Sequence, residues 1–144
     1  RFQDQLYKPL QEIFKVNIIM GDNLTRKIRI NPFFFDRLKE NPFKLNERKF
    51  PIDFISPFKT KNKISIEIPK GFTVQNIPDP LALSLPNNLG VFKYQLIKKG
   101  NRINVLSTFQ INKSVILPQY YETIKEFFGK FIEKQNQKIV LTKV

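Results

Sequence analysis

Hydrophobic and polar residues alternate along several stretches of the chain, and proline, glycine and asparagine lie between these stretches. A period of two places every second side chain on the same face of a β-strand. The clearest case is a hairpin that joins Val91–Lys98 to Arg102–Asn112 through Lys99-Gly100-Asn101. On its second strand, every other residue from Ile103 to Ile111 belongs to one face. This hairpin is the strongest β prediction in the sequence.

Shorter runs of the same kind predict further strands. Residues 13–20 and 24–30 are expected to form a first hairpin through the turn Gly21-Asp22-Asn23. Prolines fall at the ends of the runs and not inside them, because proline has no N–H to donate to a sheet. The remaining strands are predicted at Phe50–Ile55, Lys63–Ile68, Phe72–Val74, Leu81–Leu85 and, as a last edge strand, Ile139–Leu141.

One segment has the helical period instead. Pro118 suits a first helical turn, and Lys130 and Lys134 lie toward the other end, where the helix dipole favours positive charge. The pattern predicts a mainly β fold, an antiparallel β-sandwich (Ig-like or related), with one C-terminal amphipathic helix near 118–136. The apolar stripe of that helix consists of Tyr121, Ile124, Phe127, Phe128, Phe131 and Ile132.

Residues 31–49 break the alternating pattern. Two Asn-Pro pairs, Asn31-Pro32 and Asn41-Pro42, lie within this segment, and a residue before proline avoids the helical region. The three consecutive phenylalanines Phe33–Phe35 cannot all point the same way. Either the segment is covered on both sides, or one ring stays exposed for a partner. We favour a core role, because aromatic clusters beneath long loops commonly form small satellite cores.

The composition excludes several kinds of chemistry. The 144-residue chain has no cysteine and no histidine, so it lacks a Cys–His or Ser–His nucleophile pair and the usual ligands of a structural zinc site. It has five glycines and no glycine-rich phosphate loop. We therefore predict no catalytic residue, no cofactor and no metal. No apolar run approaches the roughly 20 residues of a membrane-spanning helix.

The net charge of +13 invites a nucleic-acid interpretation. The excess is +7 over residues 1–70 and +6 over residues 71–144, which is an even spread. Lysine outnumbers arginine, although arginine is the residue suited to bidentate phosphate and base contacts. These two observations favour a generally solvated basic surface over nucleic-acid binding.

Arg48 and Asp53 form the one polar constellation of note. They lie in the aromatic-rich run from Glu47 to Phe54. The two side chains could form a partly buried bridge, or they could present a polar anchor at an interface. The bridge is favoured, because buried charges normally come in pairs.

Several runs, taken together, carry a family resemblance. In order and spacing they resemble an uncharacterised β domain that follows the transglutaminase-like core in large Gram-negative cell-envelope proteins. The runs are Ile30–Phe35, Lys39–Phe43, Arg48–Phe54, Ile68–Phe72, the turn at Gly100-Asn101, and Ile111–Lys113 leading to Pro118–Tyr121.

The resemblance implies a position in a longer polypeptide and a cellular location, and it implies no biochemical activity for this domain. It implies that residues 24–144 form a single C-terminal domain and that residues 1–23 are a strand or linker entering from a preceding domain. It also implies a periplasmic or cell-envelope location, with any Cys–His–Asp chemistry upstream. The chain begins with Arg1 rather than methionine, and we expect it to be a piece of a longer protein.

The first functional hypothesis is a noncatalytic accessory domain that packs against or positions the transglutaminase-like core, with a protein substrate as a further partner. The alternative is an independent basic module for an acidic ligand, either polysaccharide or nucleic acid; an independent enzyme ranks last. The expected interdomain contact consists of Phe33, Phe34, Phe35, Arg48, Asp53 and Phe54.

Overall fold

The computed structural model describes residues 7–18, 26–34 and 37–144. Within these residues the chain forms nine strands, two 3-10 turns (Pro86–Asn88 and Pro118–Tyr120) and one helix, α1 (Tyr121–Asn136). The strands are β1 Lys27–Ile30, β2 Ile52–Asp53, β3 Phe58–Glu67, β4 Phe72–Asn76, β5 Leu81–Ser84, β6 Gly90–Lys99, β7 Arg102–Ile111, β8 Val115–Ile116 and β9 Ile139–Lys143.

The largest sheet is antiparallel, with the strand order β3-β7-β6-β5. The turn between β6 and β7 contains Gly100 at φ 59°, a left-handed conformation that glycine adopts without a Cβ clash. β3 pairs with β7 over its whole length, from Phe58 opposite Ile111 to Glu67 opposite Arg102. Alternate residues of β6 and β7 are buried, and most of those between them are partly or fully exposed. The sheet thus has an inward face and an outward face.

Helix α1 covers the inward face with its apolar stripe. The ring of Phe131 contacts Phe92 of β6 and Phe109 of β7, with centroid separations of 4.9 and 4.3 Å. Phe127 also contacts Phe109, at 5.4 Å. Burial of this stripe, more than intrinsic helix propensity, stabilises the helix.

Two smaller sheets complete the fold. β9 lies between β1 and β4 in a three-stranded antiparallel sheet, and β2 pairs with β8 in a two-stranded ribbon. Ile139 and Leu141 of β9 are fully buried, and the Ile116 side chain of the ribbon is 1% exposed. All three belong to the same hydrophobic core as the aromatic residues beneath α1.

The sequence Asn-Pro-Phe occurs twice in the long connection between β1 and β2, and both copies bind the helix in the same way. Each asparagine Oδ1 accepts the N–H of the residue two positions later, at 2.9 Å. The amide nitrogen of Asn31 donates to the Gln135 carbonyl at 2.9 Å, and that of Asn41 donates to the Lys125 carbonyl at 2.8 Å. The two attachment points place the connection antiparallel to α1, and each asparagine pairs one N–H of the connection and one carbonyl of the helix.

The sequence predictions for the fold class are confirmed: the chain is mainly antiparallel β with one C-terminal helix. The hairpin of β6 and β7 and the helix near 118–136 form where predicted, with the 3-10 turn at Pro118–Tyr120 leading into α1.

Three strand predictions need correction. Residues 13–18 are exposed and form no strand, and β1 pairs with β9 instead; the rest of that first hairpin, residues 19–25, lies outside the described residues. The strand predicted over 50–55 is limited to Ile52–Asp53, because a positive φ at Ile55 ends it. β9 was predicted as an edge strand, yet it is paired on both sides.

Candidate functional site

The predicted aromatic contact residues lie in different environments. Phe33 is 4% exposed, and its ring lies 5.9 Å from that of Tyr94, so it belongs to the domain's own core. Phe34 is 46% exposed, and Phe35 lies outside the described residues. The core interpretation therefore holds for Phe33, while Phe34 presents much of its ring to solvent.

Phe54 is half-buried in a cluster of aromatic rings that packs against helix α1. Its ring stacks on Phe128 at 6.2 Å with a 5° interplanar angle. It also meets Phe43 edge-on at 6.4 Å and Phe58 at 5.9 Å. Such arrangements follow the quadrupole of aromatic rings, and they place Phe54 at the boundary between core and surface.

Arg48 and Asp53 do not bridge each other. Arg48 donates from Nε to the Phe50 carbonyl at 3.0 Å and from Nη2 to the Pro51 carbonyl at 3.4 Å. The Asp53 Oδ1 accepts the N–H of Ile55 at 2.7 Å. The favoured bridge is thus wrong: each side chain orders the backbone of its own segment instead.

The predicted contact residues that the structure describes also separate in space. The segment holding Phe33 is bound near Gln135, at the C-terminal end of α1, whereas Phe54 is linked through Phe43 to Tyr121 at the other end. Gln135 and Lys125, whose carbonyls bind Asn31 and Asn41, lie about 15 Å apart along the helix axis. A single small partner contact would not cover both groups.

Ile55 has an unusual backbone conformation. Its φ is 69°, and the Ser56 N–H donates to the Phe54 carbonyl at 2.7 Å, which makes Ile55 the centre of a γ-turn. A β-branched residue in this region is an outlier and carries a strain of about 1–3 kcal/mol. Its side chain is 91% exposed, so packing inside the domain does not explain the choice of isoleucine.

Other exposed apolar residues belong to the segments around the Ile55 turn. Val115 of β8 is opposite Asp53, and the Leu45 carbonyl accepts the hydroxyl of Tyr121 at 2.9 Å, which places Leu45 at the start of α1. We call the exposed apolar residues along the β2–β8 ribbon and beside the start of α1 the end patch; they are Leu45, Phe50, Ile55, Val115 and Leu117.

The described residues offer little acid–base chemistry. They contain no group of three or more Asp or Glu side chains placed to hold a metal ion. Burial raises the pKa of Tyr94 to about 12, so this phenol stays protonated at neutral pH. The described part of the chain also has no helix long and apolar enough to cross a membrane.

Comparison with known proteins places the chain in a family. Residues 23–141 match DUF3858, a domain of unknown function with a solved structure. The chain belongs to the DUF3858 family. No curated protein matches it.

One solved structure is similar to this DUF3858 domain, with a TM-score of 0.58 and 19% sequence identity. It is a crystal structure from Parabacteroides distasonis ATCC 8503, described as a putative protease. The similarity covers 69% of this chain but only 19% of that protein. It supports the fold, and it shows that a similar fold occurs as a small part of a longer polypeptide.

Sequence reasoning missed two surface features of this DUF3858 domain. No local pattern predicts a positive φ at isoleucine, so the sequence does not single out Ile55 or the exposed Val115 and Leu117. The even spread of charge predicts generally solvated lysines, although Lys59, Lys61 and Lys63 of β3 alternate with less polar neighbours. That alternation was the available signal for a strand with one basic face.

Proposed function

We propose that this chain is a noncatalytic accessory domain that docks through the end patch onto another part of its own polypeptide. We extend the proposal to the partner and the place that the sequence resemblance implies. The partner is then a preceding transglutaminase-like domain, which handles a protein substrate, in a periplasmic or cell-envelope protein.

The observation that carries the proposal is the geometry of Ile55. A strained backbone that presents a large apolar side chain to solvent costs stability and gains nothing inside the domain. Strain of this kind persists where the surrounding structure holds it for a binding role. A partner that covers Ile55 would recover the free energy of burying it.

Charge indicates what the covering surface looks like. The Ser114 carbonyl accepts the Phe54 N–H at 2.7 Å, so Lys113 lies close to Ile55 along the same ribbon. Lys49, next to Phe50, is also exposed, and so is Asp53, opposite Val115. The apolar centre is therefore bordered by charges of both signs, and it fits a partner whose docking surface is apolar with a mixed polar rim.

The similar fold in a longer protein supports a partner in the same chain. Tethering gives such a contact a high effective concentration, so even a modest surface can dock. We place the contact at the end patch because it contains the strained Ile55, while Phe34, near the other end of α1, stays a separate prediction.

Calorimetric titration of this chain against the separately produced remainder of its polypeptide tests the proposal. Ile55→Gly should weaken binding at least about 10-fold, because an apolar side chain of this size contributes about 1.5–3 kcal/mol when fully buried. Ile97→Ala, an exposed apolar change on β6, is the matched control and should bind like the original chain.

Two results would contradict the proposal. One is equal binding by the Ile55 variant and the original chain. The other is the absence of heat at two temperatures, together with unchanged hydrogen exchange around Ile55 in the intact polypeptide.

A further inference from the structure

The outward face of the four-stranded sheet is strongly basic. Lys59, Lys61 and Lys63 of β3 alternate along the strand, so all three project from this face about 6.7 Å apart. Lys61 is paired with Thr108 of β7, which is in turn paired with Lys93 of β6. The basic face therefore extends from the edge strand into the interior of the sheet.

Little negative charge offsets it. The one acidic residue in the outward positions of β3, β5, β6 and β7 is Glu67, whose carboxylate lies 3.6 Å from the Arg102 guanidinium. By register, the outward cationic residues are Lys59, Lys61, Lys63, Lys93, Lys99 and Arg102.

Protection of an exposed edge explains only part of this pattern. Lysines on edge strands prevent sheets from pairing with other chains, and β3 is an edge strand. Lys93 lies on β6, which is paired on both sides. The face thus carries more positive charge than edge protection requires.

The side chains between the lysines indicate the kind of ligand. Leu106 and Ile97 project from the same face and are 40% and 44% exposed. No aromatic residue occupies an outward position of β3, β5, β6 or β7, so the face offers no stacking platform for nucleic-acid bases. Five of its six cations are lysines, which act as point charges and not as bidentate forks.

The dimensions agree with a broad ligand. Three ten-residue strands make the face about 33 Å long, and the four-residue β5 widens it to about 14 Å at one end. We propose that this outward face binds the surface of a lipid bilayer that contains anionic phospholipids. The lysines contact the headgroups, while Leu106 and Ile97 lie at the boundary with the acyl chains. This proposal is independent of docking through the end patch.

Vesicle co-sedimentation of the full chain tests it. We expect binding to vesicles of phosphatidylcholine mixed with phosphatidylglycerol, little binding to phosphatidylcholine alone, and loss of binding as salt is raised. The triple variant Lys59→Glu, Lys61→Glu and Lys63→Glu should bind at least about 100-fold more weakly, since each lysine near an anionic surface contributes about a factor of 5.

A control variant distinguishes the effect of the basic face from the effect of net charge. Lys39→Glu, Lys49→Glu and Lys138→Glu alter three exposed lysines elsewhere and leave the chain with the same net charge as the face variant. This control should retain most of the binding. Leu106→Ser should weaken binding several-fold and leave the salt dependence in place.

Three outcomes would overturn the proposal. They are no binding of the original chain to the anionic vesicles at low salt, equal losses in the face and control variants, or binding to an acidic polysaccharide or duplex DNA with none to vesicles. Matching circular dichroism spectra and melting temperatures establish that the variants are folded.

Discussion

Asp53 accepts the N–H of Ile55 at 2.7 Å, and this bond closes the turn that directs the isoleucine side chain into solvent. A second hydrogen bond, from the Ser56 N–H to the Phe54 carbonyl, closes the same turn. A carboxylate two residues before a strained position thus holds a conformation that isoleucine would not choose.

Removal of that carboxylate should relax the turn. We expect Asp53→Ala to lower the free energy of unfolding by about 0.5–1.5 kcal/mol, while Asp53→Asn, which keeps an acceptor oxygen, should lose less. Urea denaturation measures both. Asp79→Ala, at another exposed aspartate, is the control, and an equal loss there would show that the Asp53 bond has no special role.

The Asn-Pro-Phe turns are expected to contribute to stability through their asparagines. Asn41→Ala removes an acceptor for the Phe43 N–H and a donor to the Lys125 carbonyl, so unfolding should become easier by about 1–3 kcal/mol. Asn46→Ala, at an exposed asparagine nearby, should change stability by less than about 0.5 kcal/mol. Thermal melts of the two variants in parallel test this difference; similar melting temperatures would show that Asn41 contributes no more to stability than Asn46.

The helix glycine and the sheet glycine should respond to alanine with opposite signs. A Cβ at Gly129 would meet only the Asn41 Nδ2, at 3.7 Å, so Gly129→Ala should stabilise the chain by up to about 1 kcal/mol through helix propensity. A Cβ at Gly90 would lie 2.6 Å from the Gln110 carbonyl oxygen, so Gly90→Ala should destabilise it by about 1–3 kcal/mol. Chemical denaturation of both variants checks this, and two shifts of the same sign would contradict it.

Because of Tyr94, we expect the free energy of unfolding to depend on pH in the alkaline range. Burial raises its pKa to about 12 in the folded chain, against about 10 when unfolded. The unfolded chain therefore releases this proton first, and stability falls as the pH rises from about 10 to 12. Tyr94→Phe removes this contribution, so its unfolding free energy should decline less over that interval. Parallel curves for the two proteins would show that Tyr94 does not contribute.

Much of the fold could be predicted from local pattern because its period is strong. β7 alternates without interruption, and the stripe of α1 repeats at helical spacing, so each specifies its own element. β9 is short and ambiguous alone, and its central place follows from pairing with β1 and β4, which lie far away in sequence. Local pattern cannot encode such a choice of partners.

The surfaces were harder to predict for a different reason. Phe33 and Phe34 are adjacent and identical, yet one is buried and the other half-exposed; the difference arises from where the Asn31 turn attaches to α1. Ile55 gives no warning in the sequence, since its conformation opposes its own preference and depends on Asp53.

The two faces of β3 also bear on how the chain folds. A shift of its pairing by one residue would exchange the two faces, turning the half-buried Ile64 and Ile66 outward and Ser65 and Glu67 inward. Loss of the isoleucine burial and desolvation of the Glu67 carboxylate would both cost free energy. This end of the strand therefore specifies its alignment during folding, whereas residues 58–61 are exposed and contribute little to that choice.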